Sequence, residues 1–244
     1  MDKHTFFDRI GGGLIVSCYA DADYNVLFDH PNAMEALATS VVRGGAVAIR
    51  VNAKHVEMIK KATEVPVIGI QKIYRDGEMR ITPTLNEVAI LVKSGVDAVA
   101  IDATKRTRFD GLLLAQYIGA IKREYPVAVI GDISTYEEAV SAAESGIDAV
   151  GTTLSGYTPY SFIQGNLGEI PAPPPDIELV KRLSKTISIP IIAEGRYKTP
   201  ERAAQALAAG AHAVVVGTAI SNPQKIVELF VHTIQGGKGP QDHT

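Results

Sequence analysis

The chain has 244 residues, 46% of them hydrophobic and 21% charged, with a net charge of −3. That is enough apolar material for one barrel-sized core, and the near-neutral balance gives no reason to expect nucleic acid or another polyanion as partner. A single cysteine, Cys18, excludes a disulfide framework and favours a reducing cytoplasm, and six scattered histidines without ligand spacing speak against zinc.

The N-terminal MDKHTFFDRIGGG carries acids and no apolar run of leader-peptide length, and no stretch reaches the ~18 to 20 apolar residues of a membrane span. A soluble, cytoplasmic protein is expected. The first strand is GLIVSC from Gly13. A helix, NAMEALATSVVRGG from Asn32, leads to AVAIRV from Ala46, and PVIGIQK from Pro66 ends on Lys72. Next come a helix from Thr82 (TPTLNEVAILVKSG), a strand from Ala98 (AVAIDAT) and another from Pro126 (PVAVIGD). STYEEAVSAAESG from Ser134 reads as helix and AVGTTL from Ala149 as strand. A Gly/Pro-rich loop, Ser155 to Asp176, precedes PIIAEGR from Pro190, the helix KTPERAAQALAAG from Lys198 and the last strand, AVVVGT from Ala213. From about residue 235 the tail QGGKGPQDHT reads as flexible, with no assigned role.

The strands are continuously apolar, which implies a sheet covered on both faces. Even-numbered strands follow a helix ending in glycine, the usual left-handed cap. The third, fifth and seventh begin with proline, tolerated where no ladder donor is needed. Ala46, Ala98, Ala149 and Ala213 open the even strands about fifty residues apart, the last gap lengthened by the loop. Eight strands alternating with helices predict one (β/α)8 barrel over residues 1–244; an open doubly wound sheet would leave the four-fold repeat unexplained. The four helices quoted are expected to open on Ser, Thr or Asn caps with acids in the first turn.

In such a barrel the C-terminal strand ends line the active site. Here those ends are polar: Ser17 with Cys18, Arg50, Lys72, Asp102, Asp132, Thr152 with Thr153, Glu194 with Arg196, and Gly217 with Thr218. Asp102 reads as a local cap. Lys72, Asp132 and Glu194 end the three proline-initiated strands and can converge. Glycines and small residues in GTTLSG, EGRYKTP and GTAISNP suit a phosphate site. A lysine beside Arg50 in a dry pocket would have a depressed pKa and could remove a proton, though Schiff-base chemistry needs the same lysine. No Gly-rich nucleotide fingerprint is present.

The motifs GLIVSC, GGAVAIR, PVIGIQK, RITPT, AIDATKR, GDIST, GTTLSGYTPYS, AEGR, TPE and GAHAVVVG resemble the N-acetylmannosamine-6-phosphate 2-epimerase family of bacterial sialic-acid catabolism, from about Gly12 to Phe230. The resemblance implies a homodimeric barrel that needs neither metal nor cofactor and interconverts N-acetylmannosamine 6-phosphate and N-acetylglucosamine 6-phosphate. It makes Lys72, Glu194 and Asp132 the catalytic residues. Arg50, Ser17, Thr152, Thr153, Gly195, Arg196, Gly217, Thr218 and Asn222 become the substrate-binding set. Three positions depart from the family pattern: Tyr19 where glutamine is usual, Thr218 for glycine, and Asn222 for an arginine that resembles a phosphate or substrate contact. They leave open a related sugar phosphate as substrate, or a non-catalytic sugar-phosphate-binding barrel.

Overall fold

The computed structural model describes residues 1–21, 24–165 and 173–236. After a short helix α1 (Lys3–Ile10), the chain alternates strand and helix: β1 (Leu14–Ser17), α2 (Pro31–Arg43), β2 (Ala48–Asn52), α3 (Ala53–Ala62) and β3 (Val67–Ile70). A hairpin, β4 (Lys72–Arg75) and β5 (Glu78–Ile81), interrupts the pattern. It resumes with α4 (Leu85–Lys93), β6 (Ala98–Asp102), α5 (Leu114–Glu124), β7 (Ala128–Asp132), α6 (Tyr136–Glu144) and β8 (Ala149–Gly151). The rest is α7 (Ile177–Leu183), β9 (Ile191–Glu194), α8 (Pro200–Ala208), β10 (Ala213–Val216), a single turn α9 (Thr218–Ser221) and α10 (Pro223–Ile234).

Eight parallel strands close in the order β1-β10-β9-β8-β7-β6-β3-β2. This is the (β/α)8 barrel the repeat implies. Alternate residues point inward, and Ile15, Ala48, Ile68, Ala98, Ala128, Ile130, Ile192 and Ala213 fill the interior as one buried cluster, with Phe6 and Ile10 of α1 joining it. Following the same alternation upward brings Ser17, Arg50, Asp102, Asp132 and Glu194 to the inner face at the mouth. The barrel therefore turns a two-residue period into a ring of polar groups.

Two expectations are corrected. Lys72 does not end the third strand. That strand stops at Ile70, and Lys72 opens the antiparallel hairpin, paired with Ile81. The hairpin turns at Asp76 and Gly77, both with positive φ (52° and 77°), the backbone an Asp-Gly hairpin turn requires. The helix from Asn32 begins instead at Pro31, after His30, without a side-chain cap and with no acid in its first turn; a proline at the first helical position has a preset φ and no amide hydrogen to satisfy. Helices α4, α6 and α8 do open on Thr84, Thr135 and Thr199, whose side chains accept from first-turn amides. Within the expected loop 155–176, residues 166–172 lie outside the described residues, as do 237–244 of the expected tail.

Candidate active site

Arg50 rises from β2 into the centre of the mouth. Its Nη1 and Nη2 donate to Asp132 Oδ1 and Oδ2 at 3.1 and 2.6 Å, and Nη1 lies 3.0 Å from Glu194 Oε2. The Thr153 hydroxyl stands 2.6 Å from Asp132 Oδ1 and 3.1 Å from Glu194 Oε2. Thr152 Oγ1 donates to the Glu194 carbonyl at 2.8 Å and accepts from its amide at 2.9 Å, so the short turn after β8 holds the tip of β9. A side chain on Gly151 would sit 2.9 Å from Asp132 Oδ1, which explains the glycine there.

One arginine and two carboxylates share this centre, and their protonation follows. Burial lifts the Glu194 carboxyl above its usual range and the nearby Asp132 adds to the effect, against the opposing pull of Arg50. Burial works against the charge on Arg50, but Asp132 and Glu194 outweigh it and the guanidinium stays charged. Lys72 is pushed the other way: burial, reinforced by Arg50, lowers its pKa, while Asp21, Glu194 and Asp132 oppose. Its Nζ lies 4.0 Å from the centre of the Tyr19 ring and 5.5 Å from that of Tyr24. The site thus holds an amine made less basic and a carboxyl made less acidic.

Glu194 ends β9, and Lys72 comes two residues after the end of β3, on the opposite side of the ring. From β9 to β3 the ring order passes β8, β7 and β6 one way and β10, β1 and β2 the other, so the strands are diametrically placed. Beside Lys72 a cavity of about 630 Å3 opens, lined among others by Tyr19, Asp21, Asn52, Gln71 and Tyr74.

Other residues singled out from the sequence are placed less centrally. Asp102 accepts from the Thr104 amide and hydroxyl and from Arg106 Nη2, capping the segment that follows it as expected. Arg196, at φ 63°, donates to the carbonyls of Ser155 and Pro174, bracing the loop after β8. Gly195, at φ 107°, keeps its backbone open in a conformation that disfavours side chains. The Ser17 carbonyl accepts from Ser221 Oγ at 2.7 Å, and a Cβ on Gly217 would touch Ser17 at 3.4 Å, so β1 and the turn after β10 are in close contact. Thr218 Oγ1 lies 2.8 Å from the Tyr24 hydroxyl, and buried Asn222 accepts from the Lys225 amide as the cap of α10.

Sequence reading passed over Asn52 and Tyr24. Asn52 lies two residues beyond Arg50 on the same inward face, so carrying the strand alternation one step further finds it. Tyr24 lies in an irregular loop with no periodic signal. Among the described residues no group of three or more His, Cys, Asp or Glu side chains is placed to hold a metal ion. No helix among them is long and apolar enough to cross a membrane.

A family model described as "Putative N-acetylmannosamine-6-phosphate epimerase" matches residues 34–236. The chain is 45% identical over 231 residues to a "Putative N-acetylmannosamine-6-phosphate 2-epimerase" of Caldanaerobacter subterraneus subsp. tengcongensis, covering 93% of each chain. It is 43% identical to a protein of the same description from Clostridioides difficile, covering 93% of this chain and 98% of that one. Among solved structures, the N-acetylmannosamine-6-phosphate 2-epimerase from Clostridium perfringens superposes with a TM-score of 0.86 at 40% identity, over 96% of this chain and 98% of that one.

Proposed function

We propose a reaction for this site on the premise that the chain belongs to the N-acetylmannosamine-6-phosphate epimerase family. As a member it is a sugar-phosphate epimerase, inverting C2 of N-acetylmannosamine 6-phosphate to give the C2 epimer, N-acetylglucosamine 6-phosphate. The carbon acid to be broken is the C2–H of the open-chain aldehyde. Removing that proton leaves an enolate, and inversion requires the proton to come back on the opposite face.

The observation that carries the reading is that Lys72 and Glu194 follow strands on opposite sides of the barrel, the amine made less basic and the carboxyl less acidic. Neutral Lys72 takes the C2 proton from one face. The Arg50 charge stabilises the enolate oxygen that develops at C1. Glu194, which burial makes less acidic, serves in this reading as the acid and returns a proton to the other face. In the reverse direction Glu194 is the base and Lys72 the acid. Asp132 holds Arg50 in place, and Thr153 orients the Glu194 carboxyl. A carboxyl shifted upward and an amine shifted downward both move toward the operating pH, where general acids and bases work best.

The phosphate is held in this reading by backbone amides at Gly195 and Gly217 with Ser17 beside them, since Arg196, Thr218 and Asn222 are engaged with the protein itself. The whole chain acts as one barrel domain, in the cytoplasm, in the breakdown of sialic acid and other amino sugars, without metal, cofactor or nucleic acid. A homodimer is favoured by α10, where Val227, Phe230, Val231 and Ile234 recur at helical spacing and are all exposed. Incubating the protein with N-acetylmannosamine 6-phosphate in deuterated water tests the reaction. N-acetylglucosamine 6-phosphate carrying deuterium at C2 is expected; an unaltered substrate, or a product without deuterium, overturns it.

A further inference from the structure

Asn52 stands at the N-cap of α3, where an asparagine oxygen ordinarily accepts from first-turn amides. It makes no such bond. Its Nδ2 donates instead to the Ala20 carbonyl at 2.6 Å. That bond settles which way the amide faces, because the flipped side chain would set oxygen against oxygen. Oδ1 is thereby turned away from Ala20, and it is buried without a hydrogen-bond partner among the described residues, on a residue only 4% exposed. A capping bond has been given up and an acceptor left unmet, each at a cost to stability. A fold retains such an atom readily when a ligand supplies the missing donor.

The position indicates which donor. Asn52 lines the same cavity as Lys72 and Tyr19. In register it pairs with Ile70, two residues before Lys72, and it lies one inward step above Arg50. A ligand carbon held against Lys72 therefore carries its substituents into a cavity that Asn52 also lines. In the substrate read above, C2 carries an acylamino nitrogen, whose N–H is an amide donor bonded directly to the reacting carbon. Tyr19 and Tyr74 border the same cavity.

Resting on the reading of Lys72 as the group that works at C2, we propose that Asn52 Oδ1 accepts the N–H of the substrate's C2 acylamino group, making Asn52 the residue that selects N-acylated hexose phosphates. The tie to Ala20 pre-orients the acceptor, so little ordering is needed on binding.

Two open-chain ligands that cannot turn over isolate this contact: N-acetylglucosaminitol 6-phosphate, which has the amide, and 2-deoxyglucitol 6-phosphate, which has nothing at C2 to donate. Their affinities are measured by calorimetry, with inorganic phosphate as a probe of the remaining site. In Asn52→Ala the preference for the amide-bearing ligand is expected to shrink about tenfold, while affinity for 2-deoxyglucitol 6-phosphate and inorganic phosphate stays within about twofold of the parent. Asn52→Asp retains an acceptor but sets an oxygen against the Ala20 carbonyl, and it is expected to keep more of the preference than Asn52→Ala. Should Asn52→Ala fail to fold, Asn52→Ser replaces it with the same expectation. An unchanged ratio in Asn52→Ala overturns the assignment. An equal loss in Ala and Asp variants also overturns it, since only the tie to Ala20 would then matter. Neither outcome depends on turnover, so a failure here is separable from a parent protein that does not epimerise.

Discussion

Arg50 grips Asp132 with both ends of its guanidinium, at 3.1 and 2.6 Å, and neither residue is more than 2% exposed. The pair is sealed inside the mouth, and Glu194 competes for the same arginine. Removing one partner of a buried pair leaves the other charge uncompensated, typically at a cost of about 3–5 kcal/mol. Asp132→Ala is therefore expected to lower stability in urea by that order. Asp132→Asn, which can still accept from Arg50, loses less. Equal stability of all three proteins would mean that Arg50 is held by Glu194 alone.

The same cluster sets the pH dependence. Glu194 titrates above the ordinary 4.5 and Lys72 below the ordinary 10.5. The form that converts N-acetylmannosamine 6-phosphate to N-acetylglucosamine 6-phosphate has Lys72 neutral and Glu194 protonated, and the reverse reaction uses the other proton arrangement. Both forms carry the same number of protons, so kcat/KM follows one bell in both directions, with its limbs inside that window. The limbs belong to the coupled pair. Because Asp132 pushes Glu194 up, Asp132→Asn is expected to move the acid limb to lower pH. A profile flat from pH 5 to 10 contradicts this assignment.

Much of this was legible in the strands. Continuous apolar runs, prolines at strand starts and glycines before the even strands lead to the barrel, and the inward period leads to Arg50, Asp132 and Glu194. The hairpin was hidden because QKIYRDGEMRI follows an apolar run directly, so Lys72 reads as a strand tip; the Asp76-Gly77 pair was its signal. The hold of Arg50 on Asp132 spans non-adjacent strands, a relation that only barrel closure creates. Tyr24 reaches Thr218 across 194 residues of chain, and local pattern says nothing about such a pair.

That last contact joins the loop after β1 to the turn after β10, next to Lys72. A hydrogen bond of this kind contributes about 0.5–1.5 kcal/mol net. A double-mutant cycle of Tyr24→Phe and Thr218→Ala, read by chemical denaturation, is expected to give a coupling of about that size. Strict additivity would show that the two loops are not tied through these hydroxyls.

Asn222 is 4% exposed and caps α10. Replacing it with alanine is expected to cost about 0.5–2 kcal/mol, as lost caps do, with KM for the sugar phosphate little changed. A large rise in KM without loss of stability would make it a ligand contact instead.

The exposed stripe on α10 leads to a solution measurement. Val227, Phe230, Val231 and Ile234 lie on one face, and no residue of the helix is buried. Phe230→Asp sets a charge in the middle of that face and is expected to convert a two-chain particle in sedimentation to a single chain. A parent protein that already sediments as one chain removes the homodimer reading.

The division of labour between Lys72 and Glu194 is the most exposed part of the mechanism. An ordinary lysine at pKa about 10.4 is almost wholly protonated at pH 7 and cannot serve as a base; burial and Arg50 push Lys72 below that value. Its loss is expected to lower kcat by about 10²–10⁴-fold, the usual contribution of one general base. The isotope pattern is sharper than the rate. With two groups on opposite faces, each substrate epimer loses its C2 proton to a different residue. Lys72→Ala should therefore stop washing deuterium into N-acetylmannosamine 6-phosphate yet still exchange the C2 proton of N-acetylglucosamine 6-phosphate through Glu194. Glu194→Gln should show the mirror image. Both variants are expected to fold, since each side chain faces the mouth and not the packed core. If Lys72→Ala exchanges both epimers at near the parent rate, Lys72 is only an ion-pair partner at the rim. If it exchanges neither while Glu194→Gln exchanges both, a single lysine serves both faces and the substrate must turn over between the two transfers.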